Sequence, residues 1–305
     1  MVAISPEEET LIDLESSSQE QSWPRVAFTE SYDRSFEMKN KGRFFISNIS
    51  GQISVTTWNR SEVRIQATKV SSTRDEENAR KAFDNVEIDI NERNGNVSVK
   101  TEYSAWHRDR KNRDISVSVY YEITLPVEVE SQIQSVSGHI SVSNLNGAVT
   151  ANSVSGRVRL RDIGHDILAK SVSGDVDVRS SHGDAEVKSV SGRIKVDEKT
   201  GNLDAHTTSR EITLRDIEAH RMRAKSTSGA VEFSGPILEN SRYDITTVGG
   251  RIKLTIPDSA TFLFRAKSKS GHIDMDFPVT INGSNRWSRE ERQSVQGTVN
   301  GGELT

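Results

Sequence analysis

Cysteine is absent from this chain of 305 residues, which excludes disulfide frameworks, cysteine-ligated zinc sites and cysteine nucleophiles. No apolar run approaches the roughly 20 residues of a membrane-spanning helix, and the first residues lack the pattern of a signal peptide. The net charge of −4, without a block of like charge, argues against general nucleic-acid binding.

Hydrophobic residues are scarce at 33% of the chain, and aromatic residues make up only 6%. A compact globule fills a wide core with leucine and phenylalanine, so this composition argues against one. It is typical of an architecture with a thin core, in which small residues do much of the filling. Residues 1–24 have too little apolar content to fold alone, and we expect a disordered acidic linker there.

The chain contains an internal repeat, and each copy is marked by the tetrapeptide Ser-Val-Ser-Gly or a related one. Four identical copies lie 18 residues apart and begin at Ser135, Ser153, Ser171 and Ser189. Related tetrapeptides, spaced 18, 19, 21 and 21 residues apart, continue the register at Thr207, Ser226, Thr247 and Ser268. Repetition at a fixed period is the signature of a solenoid.

In each repeat, apolar and polar residues alternate over two short segments. This pattern predicts two strands, each with one buried face and one solvent-exposed face. One segment carries larger residues such as Val158 and Leu160, and the other carries smaller ones such as Ala151 and Ala169. We therefore expect an all-β fold, a β-solenoid of parallel stacked coils with two short strands per eighteen-residue repeat. Successive coils would advance by roughly 4.8 Å, the spacing of paired strands.

The first residue of each tetrapeptide falls on the buried side of its strand. Stacking would place these residues in one structural ladder, whose hydroxyl groups donate and accept hydrogen bonds along the stack. The ladder consists of Ser135, Ser153, Ser171, Ser189, Thr207 and Ser226. The glycine that closes each tetrapeptide is expected to supply a positive-φ corner at which the chain reverses.

Residues 25–126 are β-rich but lack the repeat, and we expect them to form an N-terminal capping region. Its one predicted helix lies near residues 74–84, with Ser72 or Thr73 as the N-cap. Asn94-Gly95 is a strong signal for a hairpin turn. Asn48-Ile49-Ser50-Gly51 resembles the tetrapeptide of the repeat, which predicts that it belongs to a first coil or to its cap.

Residues 127–305 are expected to form the solenoid, incomplete at its C-terminal end. The stretch from Val295 to Thr305 starts another turn-and-strand unit and then stops. Neither a capping helix nor a closing coil is visible in the sequence there. We therefore expect either that the natural chain continues beyond this point or that a partner covers the open edge, which includes self-association with another copy.

Three sequence features together resemble one known family. They are Asn48-Ile49-Ser50-Gly51 with an alternating strand and Trp58 after it, the segment Tyr121-Glu122-Ile123-Thr124-Leu125-Pro126, and the Ser-Val-Ser-Gly repeat. From Phe36 to Thr305 the chain resembles the bacterial putative-adhesin family of β-strand-repeat domains of unknown function. The resemblance implies a β-solenoid at the cell envelope, periplasmic or extracellular, without established catalytic residues. Family members typically end in one more Ser-Gly coil, which this chain lacks.

Candidate sites are few. A serine nucleophile must be made different by a base and an oxyanion hole, whereas the repeat serines recur identically. The histidines show no recurring ligand spacing, so we predict no catalytic, cofactor-binding or metal-binding residue. One candidate contact loop mixes aromatic and basic side chains suited to an anionic glycan or a phosphate-bearing polymer, with a flexible hairpin tip as the competing interpretation. It consists of Tyr103, Trp106, His107, Arg108, Arg110, Lys111 and Arg113.

These observations favour a non-catalytic cell-envelope or surface β-solenoid, an adhesin or binding scaffold for protein or glycan. The alternative is a self-assembling structural scaffold, whose ends stack into filaments as in bactofilin-like solenoids. A carbohydrate-active β-helix enzyme is a third hypothesis, but it needs a carboxylate pair in a groove, and the short turns build no wall for one. No cofactor, nucleic-acid partner or transmembrane segment is expected.

Overall fold

The computed structural model describes residues 26–73, 76–104, 116–269, 272–276, 279–281 and 293–300. The acidic linker predicted for residues 1–24 lies outside the described residues. The fold is all-β apart from one helix in the described part of the chain, as the sequence predicts.

The strands follow the alternation of apolar and polar residues. The part before the repeats forms β1 (Val26–Glu37), β2 (Arg43–Asn48), β3 (Ile53–Trp58), β4 (Glu62–Thr73), α1 (Glu76–Asp84), β5 (Val86–Arg93), β6 (Asn96–Tyr103) and β7 (Val117–Pro126). The next strands are β8 (Glu130–Ser135), β9 (Ile140–Leu145), β10 (Val149–Ser153), β11 (Val158–Ile163), β12 (Ile167–Ser171), β13 (Val176–Ser181) and β14 (Ala185–Ser189). They continue as β15 (Ile194–Thr200), β16 (Leu203–Thr207), β17 (Ile212–Glu218), β18 (Arg221–Ser226), β19 (Val231–Ser234), β20 (Arg242–Thr247) and β21 (Ile252–Thr255). The last three are β22 (Phe262–Ser268), β23 (Val279–Ile281) and β24 (Gln293–Val299).

Two long sheets enclose the core. The 11-stranded sheet has the order β1-β4-β7-β3-β9-β11-β13-β15-β17-β19-β21, and the 10-stranded sheet has the order β20-β18-β16-β14-β12-β10-β8-β2-β6-β5. Within the repeats each strand pairs in parallel with its equivalent one coil later, as Val149 of β10 does with Ile167 of β12. The predicted parallel stack, with two strands per eighteen-residue repeat, is confirmed.

The core lies between the two sheets and is thin, as the composition predicts. Val158 and Leu160 of the 11-stranded sheet and Ala151 and Ala169 of the 10-stranded sheet are all fully buried. Small residues on one side and branched aliphatic residues on the other therefore fill the space between facing strands. Every coil buries the same kinds of side chain, so the core runs the length of the stack.

The glycine of each tetrapeptide acts differently from the prediction. Gly156 and Gly174 lie outside the positive-φ region, so the expected left-handed corner at these glycines is wrong. Each lies instead against the backbone of the preceding coil. A Cβ atom on Gly174 would be 2.0 Å from the carbonyl oxygen of Gly156, and one on Gly156 would be 1.8 Å from that of Gly138. Glycine is needed because no side chain fits between the stacked corners.

The positive-φ bend lies elsewhere, at residues that are not glycine. One residue per coil has a φ of 51 to 61°, and these residues are Asn144, Asp162, Ser180, Glu198 and Asp216. In β9, for example, Ser143 and Asn144 face outward in succession before Leu145 returns to the core. An extra outward residue of this kind bends a strand, as a β-bulge does.

Residues 43–58 form a coil whose place in the stack differs from its place in the chain. Strand β3 pairs in parallel with β7 on one side and with β9 on the other. Strand β2 lies in the same way between β6 and β8. The prediction that Asn48-Ile49-Ser50-Gly51 belongs to a first coil is confirmed. Strands β1, β4 and β5 extend the sheets beyond it by antiparallel pairing.

The predicted helix and hairpin of this region are both present, but the predicted helix cap is wrong. Helix α1 begins at Glu76, whereas Ser72 and Thr73 are the last residues of β4 and pair with β1. The N-cap prediction is wrong because the strand ladder extends through both residues. Asn94 and Gly95 have φ values of 55 and 77°, as the tight hairpin between β5 and β6 requires.

The solenoid ends earlier than predicted. Strand β22 pairs antiparallel with β24, which also pairs with β23, in a separate three-stranded sheet. The expectations that Ser268 continues the register and that Val295 begins another coil are therefore wrong. Among the described residues, β20 and β21 are the last strands of the two long sheets.

Candidate binding surfaces

Most of the predicted contact loop cannot be placed. Trp106, His107, Arg108, Arg110, Lys111 and Arg113 lie outside the described residues, so their grouping stays a prediction. Tyr103, at the end of β6, is half-buried and donates a hydrogen bond from its hydroxyl to the carbonyl of Val117 at 3.1 Å. Burial raises the pKa of Tyr103 to about 12. This hydrogen bond holds the Tyr103 side chain against the first residue of β7.

The hydroxyls of the predicted ladder bond to glycine backbone. Ser171 donates from Oγ to the carbonyl of Gly156 at 3.2 Å and accepts from the N–H of Gly174 at 2.9 Å. Ser153 and Ser189 make the same pair of bonds one coil earlier and one coil later. Each hydroxyl therefore closes its own turn and holds the preceding coil.

The remaining ladder residues make parts of the same pattern. Ser135 accepts from the N–H of Gly138 at 2.9 Å, and Thr207 donates to the carbonyl of Gly192 at 3.0 Å. Ser226 donates to the carbonyl of Arg210 at 3.2 Å, because arginine stands there in place of the repeat glycine. All six ladder side chains are at most 5% exposed. Their geometry shows a structural role, in which each side chain links its coil to a neighbouring coil or closes its own turn by hydrogen bonds.

The outward face of the 10-stranded sheet carries charged rows in register. One row runs over neighbouring strands and consists of Lys170, Lys188, His206 and Lys225. Glu186, in the next row, lies 2.6 Å from the amine of Lys188 and 3.4 Å from that of Lys170. The hydrogen bond from Lys188 is the main cause that lowers the pKa of Glu186. Like charges in this row thus share a carboxylate.

A corner of the stack carries alternating charge. Arg193 lies 3.1 Å from Asp175 and 3.8 Å from Glu211, and Arg157 lies 3.8 Å from Asp175. The four residues occupy equivalent positions in consecutive coils. Each pair is partly exposed and screened by water, so we expect each to contribute little to stability.

An apolar ridge runs along another corner. Its members are the second residues of the tetrapeptides, each 45 to 47% exposed, namely Val136, Val154, Val172 and Val190. Ile49 precedes them at 42% exposure. The ridge is interrupted where Thr208 and Thr227 replace valine.

A groove of about 900 Å³ runs across one end of the strands of the 10-stranded sheet. Three polar side chains along it cap the backbone of the following coil. Asp166 accepts from the N–H of Asp184 at 2.8 Å, and Asp184 accepts from that of Asn202 at 3.1 Å. Asn202 accepts in turn from the N–H of Arg221 at 3.0 Å. Beyond this point the column holds Arg221 and then Arg242.

A buried lysine was missed by the sequence analysis. Lys199 is 1% exposed and stands in its column between Ser181 and Ile217, with Ile163 on the far side of Ser181. Its amine donates to the carbonyls of Gly183 and Thr200. Burial lowers the pKa of Lys199 to about 8, although Asp184 and Asp166 act in the opposite direction. Alignment of the repeats by position would have shown Ser181 and Lys199 in a column that otherwise holds Leu145, Ile163 and Ile217.

Two other observations bear on the kind of site present. Among the described residues, no group of three or more histidine, aspartate or glutamate side chains is arranged to hold a metal ion. Within the same part of the chain, no helix combines the length and apolar character needed to cross a membrane.

Solved structures with a related architecture come from several bacteria. A putative lipid-binding protein from Parabacteroides distasonis is 13% identical, with a TM-score of 0.42 over 73% of this chain and 96% of that one. A putative adhesin from Bacteroides fragilis is 15% identical, with a TM-score of 0.39 over 75% and 97%. A putative cell adhesion protein from Clostridium sporogenes is 11% identical, with a TM-score of 0.31 over 75% and 100%.

Sequence comparison gives a more direct result for the second half of the repeats. None of the curated proteins compared with the chain matches it significantly. Residues 179–302 match the family model described as Toastrack DUF4097. The match is shorter than the range Phe36 to Thr305 over which the sequence resembles the bacterial β-strand-repeat family. Over residues 179–302 that resemblance is confirmed, because this part of the chain matches the family model.

Proposed function

We propose that this protein is a non-catalytic surface module of the bacterial cell envelope, which binds a protein or a glycan through the outward faces of its solenoid. The observation that carries the proposal is the register of the outward side chains. Rows such as Lys170, Lys188, His206 and Lys225 repeat one position over four neighbouring strands. An elongated partner lying along the stack would meet equivalent groups at intervals of roughly 4.8 Å.

Rigidity supports the same proposal. Backbone pairing and the hydroxyl–glycine bonds fix the spacing of the coils, so the outward rows are held in place before a partner arrives. A rigid surface loses little conformational entropy on binding. The solenoid would then act as a preformed platform whose side chains decide which partner binds.

The test is co-sedimentation of the purified protein with whole bacterial cells. Binding that survives protease treatment of the cells would indicate a glycan, and binding lost on that treatment would indicate a protein. Two matched variants identify the face. K170S/K188S/K225S removes three charges from the 10-stranded sheet, and R161S/R179S/R215S removes three from the 11-stranded sheet.

We expect one of these variants to lose most of the binding while the other keeps it. Wild-type protein that stays in the supernatant with every cell type tried would contradict the proposal. Equal losses in the two variants would show general charge attraction and would also contradict it. The predicted contact loop belongs to the same proposal, and R108S/R110S/R113S tests its part in the same assay.

Self-assembly is a second candidate function, favoured by the exposure of β21, which is the last strand of the 11-stranded sheet among the described residues. Ile252 and Leu254 of β21 are 40% and 44% exposed, unlike the equivalent Val231 and Phe233 one coil earlier, which are buried. An exposed apolar strand at a sheet edge is a template for pairing with another chain. Filaments that form with rising protein concentration under the electron microscope would favour this candidate.

A further inference from the structure

Two arginines face each other across neighbouring strands at one end of the groove. Arg221 of β18 and Arg242 of β20 are direct partners in the parallel register, and Arg223 lies two residues after Arg221 on the same strand. All three side chains line the groove. Like charges directly opposite each other on a sheet destabilise it, so this arrangement needs a reason.

Neutralisation within the protein does not supply that reason. In the described part of the chain, no carboxylate lies within 4.0 Å of the guanidinium of Arg221 or Arg242, and Arg223 has Asp204 at 3.7 Å. The lysines that face each other on the same sheet behave differently. Lys170 and Lys188 both reach Glu186, at 3.4 and 2.6 Å.

The position of the arginines in their column supports a role other than stacking. In the preceding coils this position holds Asp166, Asp184 and Asn202, and each side chain accepts the backbone N–H of the next coil. A guanidinium has no acceptor and cannot make that bond. The N–H of Arg242 bonds instead to the carbonyl of His220 at 2.7 Å. From one coil to the next, the side chains at this position thus change from accepting a backbone N–H to carrying a positive charge that no described carboxylate neutralises.

We propose that Arg221, Arg242 and Arg223 form an oxyanion site, which binds a single phosphate or carboxylate group of a ligand lying in the groove. Guanidinium groups present paired N–H donors that match the oxygens of both anions. The rest of the groove carries the carboxylates of Asp166, Asp184, Glu186 and Asp204, and Asp244 faces Arg223 on the neighbouring strand. Those carboxylates repel a long polyanion, so the ligand has one anionic group and is otherwise neutral. This site stands whether or not the outward faces bind an envelope polymer.

The experiment is a titration of the intact protein with inorganic phosphate at constant ionic strength, followed by calorimetry and by NMR of the arginine side chains. We expect saturable binding at one site. R221S/R242S should weaken it by about tenfold or more, because it removes charge-assisted hydrogen bonds. The matched control R161S/R215S removes two exposed arginines from the 11-stranded sheet and should change the affinity less than about twofold.

Two further ligands and one further variant show which part of the proposal a negative result would contradict. Glucose 6-phosphate and glucuronate distinguish phosphate from carboxylate as the preferred group. R221K/R242K keeps the charge without the planar fork, and unchanged affinity in that variant would overturn recognition by guanidinium. Equal weakening in R221S/R242S and R161S/R215S, or no saturable binding of any of the three probes, would overturn the site itself.

Thermal unfolding in chloride buffer provides a readout without ligand. If the arginines are held together only for an anion, R221S/R242S relieves repulsion and unfolds at the same or a higher temperature than the wild type. A variant that unfolds well below the wild type would show that the arginines stabilise the stack, and this result would overturn the proposal.

Discussion

At the scale of single residues, the stack depends on a serine and a glycine that act together. The glycine lets the carbonyl of the previous corner approach to a distance that a Cβ atom would not allow. The serine hydroxyl then bonds that carbonyl and the N–H of its own glycine. The tetrapeptide is therefore conserved from coil to coil within this chain for packing and hydrogen bonding at once.

Replacing one of these glycines should be costly. In Gly174→Ala the new methyl group would lie 2.0 Å from the carbonyl oxygen of Gly156, so the coils must move apart. We expect a loss of about 1 to 3 kcal/mol in the free energy of unfolding, measured by urea denaturation. Gly249→Ala is the matched control, since its Cβ atom would meet nothing closer than 3.6 Å. Equal stability of the two variants would contradict the close-approach argument.

The buried lysine predicts a dependence of stability on pH. The pKa of Lys199 is lowered from 10.5 to about 8 in the folded state. Between these values the unfolded chain holds the extra proton, so stability rises as the pH increases from 8 to 10.5. Relative to Lys199→Met, the wild type should gain up to about 3 kcal/mol across that window.

Chemical denaturation at several pH values measures this gain. Lys225→Met removes an exposed lysine and should follow the wild type throughout the window. A constant difference between wild type and Lys199→Met from pH 7 to 10.5 would show that the pKa of Lys199 is not lowered.

At the scale of the element, the bend in five strands of the 11-stranded sheet, namely β9, β11, β13, β15 and β17, rests on one left-handed residue each. Asp162 has a φ of 53°, a region that short polar residues tolerate and β-branched residues avoid. We expect Asp162→Val to lower the free energy of unfolding by about 1 to 2 kcal/mol. The neighbouring exposed Arg161, which is outside that region, provides the control Arg161→Val, with a change within about 0.5 kcal/mol. Equal losses in both variants would exclude the backbone as the cause.

The strands and their pairing could be predicted because the same residue types recur every 18 residues. The role of glycine could not, since a glycine at a corner suits either a positive φ or a close approach. Pairing of Ile53 with Ile140 also leaves no local signal, because 87 residues separate the partners. Arg221 and Arg242 escaped notice since the spacing relaxes to 19 and then 21 residues, which hides the column they share.

At the scale of the whole molecule, the exposed strand β21 should direct association between copies. We expect concentrated wild-type protein to form end-to-end oligomers and I252K/L254K to stay monomeric, as measured by sedimentation velocity. Val154→Lys changes an equally exposed apolar residue in the middle of the stack and should leave association intact. A wild type that stays strictly monomeric at high concentration would contradict an adhesive end.

The coil of residues 43–58 is stacked between strands that lie later in the chain, and this has a consequence for how the chain folds. Most repeat strands pair with a strand 18 residues away, whereas the partners of β2 and β3 lie 53 to 87 residues downstream. Closing long loops costs more entropy and slows pairing. During synthesis the first coil to be made is therefore among the last to be enclosed. The repeats can pair one coil after another as they emerge. The N-terminal strands then pair with the edge of the sheets that the repeats have already formed.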